Sequence, residues 1–462
     1  MTKFINREQE WAFLNRKWRE KVAQMVVVYG KRRVGKTELI RRFIADKPAV
    51  YLLADRRAMS EQLKELGRLI GQYFADATLE KNGFGDWLET FAYLSKIKKP
   101  FILAIDEYPY LVDLESSTSS VFQKGWDQYL KNSKVFLILS GSSVGMMERE
   151  TLLYRAPLFG RRTGQMCLKP MAFAAGWQFH PGLTFGEFLA FFAVVGGMPA
   201  YLLQFEAKKS LLDNLRQKVF VPNEFLFNEV EFLLKEELRE PKNYLALLRS
   251  IAWGRNKFSE MVSESGLQRN IVHRYLQTLE NLQLVEREVP VTEKQGQKSR
   301  LGVYRIADNF VRFWFQLVFP YKSDLEIGRL ETVLAQLKIK LPILEAATYE
   351  RLAQNIFWEL QDKMVRVDRI GRWWSKGEEI DLVGLNEEKR QIVLGEVKWS
   401  NRLVGLKVYE ELKRKATLVE WNKGEREEYF VLFSKNGFTS ALKKLAKKER
   451  IFLVRKNKLV VR

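Results

Sequence analysis

The sequence contains very little cysteine or histidine. Cys167 is the one cysteine, and His180 and His273 are the two histidines, in a chain of 462 residues. A single thiol excludes a disulfide framework and any zinc site built from cysteines, and it is typical of a reducing compartment. Two histidines also exclude a histidine-rich metal centre. Carboxylates, lysines and arginines are therefore the groups left for catalysis.

Long apolar runs are scarce as well. The longest run without charge, residues 188–205, reaches only the lower limit of a membrane span, and residues 196–199 (Gly-Gly-Met-Pro) interrupt it. We expect a buried helix followed by a turn, and no membrane segment. The first thirty residues carry charges such as Lys3 and Glu8 and no apolar core. We therefore expect no signal peptide and a cytoplasmic protein.

Positive charge is in excess. The chain has 77 Lys and Arg against 56 Asp and Glu, a formal net charge of +21, which favours polyanionic partners such as nucleic acid. Hydrophobic residues make up 46% of the chain, enough for packed cores and too many for disorder. The length predicts about three domains.

Short apolar runs alternate with helix-like stretches in the first part of the chain. The runs at 25–29, 49–54, 101–105 and 135–139 are each bounded by charge, glycine or proline. This pattern predicts buried parallel strands of an α/β sheet.

A glycine-rich loop follows the first of these runs and precedes a predicted helix over 38–44. The loop consists of Gly30, Lys31, Arg32, Arg33, Val34, Gly35, Lys36 and Thr37. A strand, a GxxxxGKT loop and a helix in this order are typical of a phosphate-binding loop, because the glycines let backbone N–H groups surround phosphates. We expect Lys36 to reach the β- and γ-phosphates of ATP and the Thr37 hydroxyl to bind Mg²⁺.

Two acidic residues end the third apolar run. Asp106 and Glu107 are predicted at the carboxyl end of a buried strand, beside the phosphate loop. Asp106 is expected to ligate Mg²⁺, and Glu107 to orient or deprotonate the attacking water.

Two further positions are candidates for contact with the γ-phosphate. Ser140 ends the fourth run and is either a γ-phosphate sensor or part of an ordinary turn. Arg161 and Arg162 are either a source of transition-state stabilisation, in cis or from a neighbouring subunit, or a basic surface turn.

Together these motifs resemble the archaeal-type P-loop ATPases of the AAA+/STAND group. The resemblance covers about the first 205 residues through the segments 4–8, 30–37, 104–111, 139–147, 158–162 and 196–202. It implies that the region of Arg7 lines the nucleotide entrance and that residues 196–199 begin a helical lid. It also implies Ser140 as sensor, Arg161 or Arg162 as finger, and ATP with Mg²⁺ as cofactors.

The middle of the chain has the pattern of a helix-turn-helix. A helix is predicted over 244–253, followed by a short helix over 258–262, a Ser-Gly turn and a second helix over 269–282, and residues 284–290 are predicted to start a wing. The second helix would expose the polar side chains Gln268, Arg269, Asn270, His273 and Arg274. Such a module either contacts DNA or serves only for packing. The aromatic residues of 303–315 are expected to pack between domains, and this segment resembles the connector that follows the winged helix in the same ATPases.

Two carboxylates and a lysine form a further pattern near the C-terminal end. Strand alternation over 391–399 puts Glu396 and Lys398 on one side, and antiparallel pairing with the preceding strand would bring Asp381 next to Glu396. Neighbouring carboxylates repel unless a cation neutralises them, which makes a Mg²⁺ or Mn²⁺ site plausible. Lys398 would then stabilise charge on a phosphate or position a water.

This ordered set resembles the PD-(D/E)XK nuclease fold, with Glu350 at the helix position. The alternatives are an exposed charged hairpin or an inactive relic of that fold. Residues 435–462 contain ten Lys or Arg and one Glu. This basic tail is either a track for phosphate backbones or a solvated lysine-rich helix.

The predicted organisation is an α/β protein of four parts. These are a P-loop ATPase core with a parallel sheet (residues 1–180), a helical lid (181–238), a winged helix with its connector (239–325) and an α/β nuclease-like domain (326–462). The leading hypothesis is an ATP-hydrolysing molecular switch that acts on or near DNA, in which a homo-oligomer supplies the arginine. The alternatives are an ATP-licensed, metal-dependent DNA nuclease and a non-cleaving DNA-binding regulator.

Overall fold

The computed structural model describes residues 5–238, 240–293, 299 and 301–461. Phe4 of the first motif and Arg462 of the basic tail lie outside this part of the chain. The described residues divide into two units, one running to residue 175 with 198–200, the other comprising 176–197 and the residues from 201 onward. None of the described helices is long and apolar enough to span a membrane.

The first unit is built on a five-stranded parallel sheet. Its strands are β1 (Gln24–Tyr29), β2 (Ala49–Leu53), β3 (Phe101–Asp106), β4 (Val135–Gly141) and β5 (Gly164–Cys167), in the order β2-β3-β4-β1-β5. Every residue of β1, β3 and β4 is buried, as expected of strands covered by helices on both faces. The four predicted strands are present with small shifts at their ends, whereas the short β5 was not predicted.

Nine α-helices precede, connect or follow these strands among the described residues. They are α1 (Glu8–Arg19), α2 (Lys36–Ile44), α3 (Met59–Phe74), α4 (Ala77–Asn82), α5 (Trp87–Ser95), α6 (Pro109–Leu114), α7 (Thr118–Gly125), α8 (Val144–Met147) and α9 (Phe173–Trp177). Because the strands are parallel, the carboxyl ends of β1, β3 and β4 lie at one edge of the sheet. That edge brings the glycine-rich loop, Asp106 and the end of β4 together.

The second unit begins with helices. These are α10 (Phe185–Val195), α11 (Pro199–Leu202), α12 (Leu211–Lys218), α13 (Glu229–Glu237), α14 (Pro241–Ala252), α15 (Phe258–Ser265) and α16 (Arg269–Asn281). Thr184 and Glu187 form a capping box at the start of α10. The helix ends before Gly196, so the expected buried helix followed by a turn is confirmed.

A two-stranded antiparallel sheet completes the helix-turn-helix. It consists of β6 (Val285–Glu288) and β7 (Val303–Ile306), and it is followed by α17 (Asn309–Leu317) and α18 (Lys322–Glu326). Phe310, Phe313 and Trp314 of α17 are buried, and the Trp314 indole donates a hydrogen bond to the carbonyl of Phe227 over 2.7 Å. These aromatic residues therefore serve for packing, as predicted.

A six-stranded mixed sheet forms the C-terminal part of the second unit. After α19 (Glu331–Leu360) come β8 (Arg369–Ser375), β9 (Glu378–Asn386), β10 (Gln391–Lys398), α20 (Leu406–Ala416), β11 (Glu427–Ser434), α21 (Ser440–Ala446), β12 (Ile451–Arg455) and β13 (Lys458–Val461). The strand order is β13-β12-β11-β10-β9-β8, with β10, β11 and β12 parallel. Buried apolar side chains such as Leu394 and Leu432 form its core.

These observations confirm the predicted fold class, a parallel P-loop-type sheet followed by helices and a C-terminal mixed sheet domain. The finer division into four domains stays a prediction.

Candidate nucleotide site and carboxylate cluster

The loop between β1 and α2 has the backbone conformation of a phosphate-binding loop. Gly30 has φ 146° and lies against β5, where an added Cβ would approach the carbonyl oxygen of Leu168 to 2.3 Å. Gly35 has φ 95° at the N-cap of α2. Both positions therefore favour glycine, and α2 begins directly after the loop, so that its N-terminus faces the loop.

The Lys36 ammonium lies over this loop. It is 5% exposed and donates hydrogen bonds to the carbonyls of Gly30 and Lys31, each over 3.0 Å. The positive charge is thereby held against the backbone of the loop. A polyphosphate there would meet an ammonium and a helix N-terminus together.

Arg7 fastens the loop to the rest of the first unit. Its guanidinium donates to the carbonyl of Val34 over 3.1 Å and to that of Lys169 over 2.7 Å, and it pairs with Glu10 at 2.9 Å. A cavity of about 790 Å³ lies alongside, lined by residues of α1 and α2 that include Arg7, Trp11 and Arg41.

Three hydroxyl or amide groups orient the buried carboxylate of Asp106. Thr37 Oγ1 donates to Asp106 Oδ2 over 2.6 Å, and the phenol of Tyr51 donates to the same oxygen over 2.7 Å. The backbone N–H of Glu107 donates to Oδ1 over 3.1 Å. Burial and the neighbouring Asp106 raise the pKa of Tyr51, so the phenol keeps its proton. Tyr51 is not among the site residues predicted from the sequence.

Glu107 is held by Ser142. The residue has a positive φ of 54°, and its carboxylate accepts hydrogen bonds from the Ser142 backbone N–H, over 3.2 Å, and from the Ser142 hydroxyl. Ser140 is completely buried, and its hydroxyl has no hydrogen-bond partner in the described part of the chain. The structure thus brings Ser142, not Ser140, to the acidic pair, and the sensor role of Ser140 stays a prediction.

The two candidate arginines contact their own chain. Arg161 pairs with Asp127 at 3.0 Å and donates to the carbonyl of Phe159 over 3.2 Å. Arg162 donates to Gln165 Oε1 over 2.7 Å and to the carbonyl of Thr151 over 2.8 Å. A finger role for either one stays a prediction.

The second unit contains the carboxylate cluster. The antiparallel register pairs Leu382 with Gly395, which places Asp381 beside Glu396, as predicted. Asp381 Oδ2 accepts a hydrogen bond from the backbone N–H of Val397 over 2.9 Å, and Lys398 Nζ contacts Glu396 Oε1 at 2.6 Å.

Burial and mutual repulsion perturb the acids of this cluster. Burial, followed by the charge of Glu396, raises the pKa of Asp381 to about 6. Burial, followed by the charge of Asp381, raises the pKa of Glu350 on α19 to about 7. Lys415 of α20 lies 3.6 Å from Glu396 Oε2 and is a member of the cluster that the sequence analysis missed.

The donor set suits a divalent cation only in part. The described residues contain no group of three or more His, Cys, Asp or Glu side chains in metal-binding geometry. Asp381 and Glu396 nevertheless offer neighbouring buried carboxylates with a repulsion that a cation would relieve. In the structure, Lys398 and Lys415 partly neutralise the charge of Glu396.

The helix-turn-helix presents a polar face. On α16, Arg269, Asn270, His273 and Arg274 are exposed, as is Gln268 immediately before it. The polar side chains predicted for the second helix are therefore accessible, and His273 lies on the surface.

The fold and the loop define a P-loop ATPase-type core. Residues 4–205 match the model of an ATPase domain found predominantly in Archaea. Residues 242–289 match an IclR-type helix-turn-helix domain, and residues 314–417 match a family of archaeal and bacterial proteins of unknown function.

Individual relatives extend this match along the chain. An uncharacterized protein of Methanocaldococcus jannaschii is 33% identical over 439 residues, covering 94% of this chain and 95% of the relative. The chain therefore belongs to the same family as that protein, a family whose N-terminal part is an archaeal-type ATPase domain. An uncharacterized ATP-binding protein of the same organism is 52% identical over 44 residues, covering 10% of this chain and 75% of its own length.

A solved structure shares the fold. The Walker-type ATPase of Pyrococcus abyssi superposes with a TM-score of 0.50 at 22% identity, covering 68% of this chain and 96% of its own.

Proposed function

We propose that this protein is an ATP-binding and ATP-hydrolysing molecular switch that acts on DNA through its winged helix and its C-terminal domain. The observation that carries the proposal is the convergence of Lys36, Thr37 and Asp106 at one sheet edge, within an archaeal-type ATPase domain. A phosphate loop, a hydroxyl and a buried carboxylate at this edge are the parts that phosphoryl transfer from ATP needs.

Each part has a proposed role in the ATP site. The backbone of residues 30–35 and Lys36 would bind the phosphates, and Thr37 with Asp106 would hold Mg²⁺. The bound cation would neutralise charge on the phosphate oxygens. Glu107 would orient the attacking water once it leaves Ser142. The cavity beside Arg7 and Trp11 has the position and size to take the nucleoside.

Ser140, Arg161 and Arg162 have proposed roles at the γ-phosphate, and each role requires a contact that the structure does not contain. Ser140 would have to sense the γ-phosphate from a buried position at the end of β4. Arg161 would have to leave Asp127, or Arg162 its partners, to reach a phosphate in cis or in a neighbouring copy of the chain. A homo-oligomer is part of this proposal for that reason.

The ATP site is tested with Lys36→Ala. We expect this variant to lose ATP binding and turnover, because it removes the ammonium that lies against the loop carbonyls of Gly30 and Lys31. Lys98→Ala, which changes an exposed lysine of the same unit, is the matched control and should behave as the wild type. Wild-type turnover in Lys36→Ala would refute the ATPase assignment.

A second candidate function is an ATP-licensed, metal-dependent DNA nuclease. It is supported by the cluster of Asp381, Glu396 and Lys398, with Glu350 close enough for its pKa to respond to the charge of Asp381. Asp381 and Glu396 would hold Mg²⁺ or Mn²⁺, which would polarise a phosphodiester. Lys398 would stabilise the charge that develops on its oxygens.

DNA cleavage separates this candidate from a non-cleaving regulator. DNA is incubated with ATP and Mg²⁺ or Mn²⁺, using wild type, Asp381→Ala and Lys398→Ala. Lys389→Ala, an exposed lysine in the turn after β9, is the control. Cleavage by wild type and Lys389→Ala alone supports the nuclease. Absence of cleavage by wild type, or cleavage that persists in both site variants, refutes it.

A further inference from the structure

A large cleft opens beside the helix-turn-helix in the second unit. Its volume is about 1500 Å³, above the roughly 300–1,000 Å³ of ordinary small-molecule pockets. One wall carries Arg269, His273 and Gln277 of α16, which are spaced four apart and share a face. The lining also includes Trp374 and Lys376, at and just after the end of β8. The winged helix and the C-terminal sheet thus build one cleft together.

Hydrogen bonds hold the two walls in place. The backbone N–H of Val291, just after the wing strand β6, donates to the carbonyl of Arg372 over 2.9 Å. The Trp374 indole donates to the carbonyl of Leu301 over 3.1 Å. Arg372 also reaches Glu288 of β6 at 3.4 Å. These contacts join the wing to β8, and residues of α16 and of β8 line the same cleft.

The lining of the cleft is basic. Lys257, Arg269, Arg287 and Lys376 contribute four cations, against the single carboxylate of Glu280. Arg269, Lys257 and Lys376 are exposed and can rearrange onto a ligand. This balance favours a polyanion over a neutral or basic partner.

Aromatic rings lie among these cations. The Trp374 ring is half-buried and has the Arg372 guanidinium 5.8 Å from its centroid. Phe258 also lines the cleft, with the Arg269 guanidinium 5.4 Å from its centroid. Cations that follow a phosphate backbone, combined with rings on which bases stack, are the features of single-strand binding surfaces.

We propose that this cleft binds a single strand of DNA, with phosphates on Arg269 and Lys376 and a base stacked on Trp374. The proposal rests on the proposed action on DNA and specifies the form of DNA and the surface. A duplex is a poorer occupant, because a recognition helix must project freely to enter a major groove about 12 Å wide. Here Trp374, Ser375 and Lys376, at the end of β8 and just after it, line the same cleft as that helix.

Binding of fluorescein-labelled oligothymidine and of a duplex of equal length to the full-length protein tests the proposal by fluorescence anisotropy. We expect wild type to prefer the single strand. Arg269→Glu, Lys376→Glu and Trp374→Ala should each weaken single-strand binding about fivefold or more. Trp374→Phe keeps a ring and should bind better than Trp374→Ala. Lys242→Glu and Lys389→Glu make the same charge change on exposed lysines outside the cleft and should remain close to wild type.

The possible outcomes distinguish a failure of the proposed single-strand site from a failure of the proposed action on DNA. Single-strand binding could fall equally in the cleft variants and the two control variants, or it could persist in all of them. Either result would refute the cleft as the binding site without refuting the proposed action on DNA. A preference for duplex overturns the single-strand assignment. Absence of binding to either DNA by wild type overturns the cleft and the action on DNA together, while the ATPase assay with Lys36→Ala remains an independent test of the ATP site.

Discussion

The phenol of Tyr51 donates a hydrogen bond to Asp106 Oδ2 over 2.7 Å, beside the Thr37 hydroxyl, which donates to the same oxygen over 2.6 Å. Tyr51 lies on β2, Thr37 on α2 and Asp106 at the end of β3. Three elements of the first unit therefore fix one carboxylate at the edge of the sheet. The Arg41 guanidinium lies 5.0 Å from the Tyr51 ring centroid and further limits movement of the phenol.

Tyr51→Phe removes this donor and keeps the ring. We expect ATP turnover to fall about tenfold, since a hydrogen bond to a charged group contributes about 1.5–3 kcal/mol. Affinity for a non-hydrolysable ATP analogue should change little, because Lys36 and the phosphate loop are not touched. Turnover and analogue binding are measured in parallel.

Tyr93→Phe is the matched control for this experiment. Its phenol donates to Asp76 over 3.2 Å, within the same unit, and takes no part in the proposed site. Equal turnover in Tyr51→Phe and Tyr93→Phe would show that Tyr51 does not position Asp106 for catalysis.

Sequence patterns predicted the site side chains whose positions follow from local backbone structure. Lys36 and Thr37 follow from the spacing of the glycine-rich loop, and Asp106 from the end of an apolar run. Asp381 and Glu396 follow from strand alternation and one antiparallel turn. In each case the backbone regularity decides where the side chain lies.

Other site contacts depend on strand order, exact strand length and helix packing, which the periodicity of the sequence does not determine. Tyr51 is one apolar-type residue in the middle of a short strand, and only the order of strands in the sheet brings it to Asp106. The strand β4 runs to Gly141, one residue beyond Ser140, which makes Ser142 the first residue after it. Lys415 stands in a basic stretch of α20, and only helix packing selects it over its neighbours.

Ser142 restrains Glu107, and its removal should alter turnover. In Ser142→Ala the carboxylate loses the hydroxyl donor and keeps the backbone N–H. We expect ATP turnover without DNA to rise about threefold or more, because loss of a hydrogen bond to a charged group frees Glu107 to orient water. Ser143→Ala is the control. A fall in turnover for Ser142→Ala would mean that the serine assists hydrolysis.

Arg7 should matter for both stability and nucleotide affinity. A lysine cannot hold the carbonyls of Val34 and Lys169 with a planar fork, so Arg7→Lys should loosen the phosphate loop. We expect a loss of about 1–3 kcal/mol in the free energy of unfolding, together with weaker binding of an ATP analogue. Denaturant unfolding and titration measure the two effects. Arg16→Lys, on the exposed side of α1, should show neither, and an unchanged Arg7→Lys variant would contradict the role.

Asp381 makes the stability of the second unit depend on pH. Burial and the charge of Glu396 raise its pKa to about 6, above the ordinary value of 3.8 expected in the unfolded chain. The folded state therefore binds the proton more tightly than the unfolded state does. Its contribution to stability is full below about pH 4 and is lost as the pH rises through about 6.

Asp381→Asn should consequently stabilise the protein at neutral and alkaline pH. The amide oxygen can still accept the hydrogen bond from Val397, and the buried charge is gone. We expect the free energy of unfolding to exceed that of wild type by about 1–3 kcal/mol at pH 8 and the difference to vanish near pH 4. Denaturant unfolding across this range measures it, with Asp368→Asn, on an exposed side chain, as control. If the variant is less stable than wild type at pH 8, the neighbouring lysines neutralise the charge of Asp381, and that charge does not destabilise the fold.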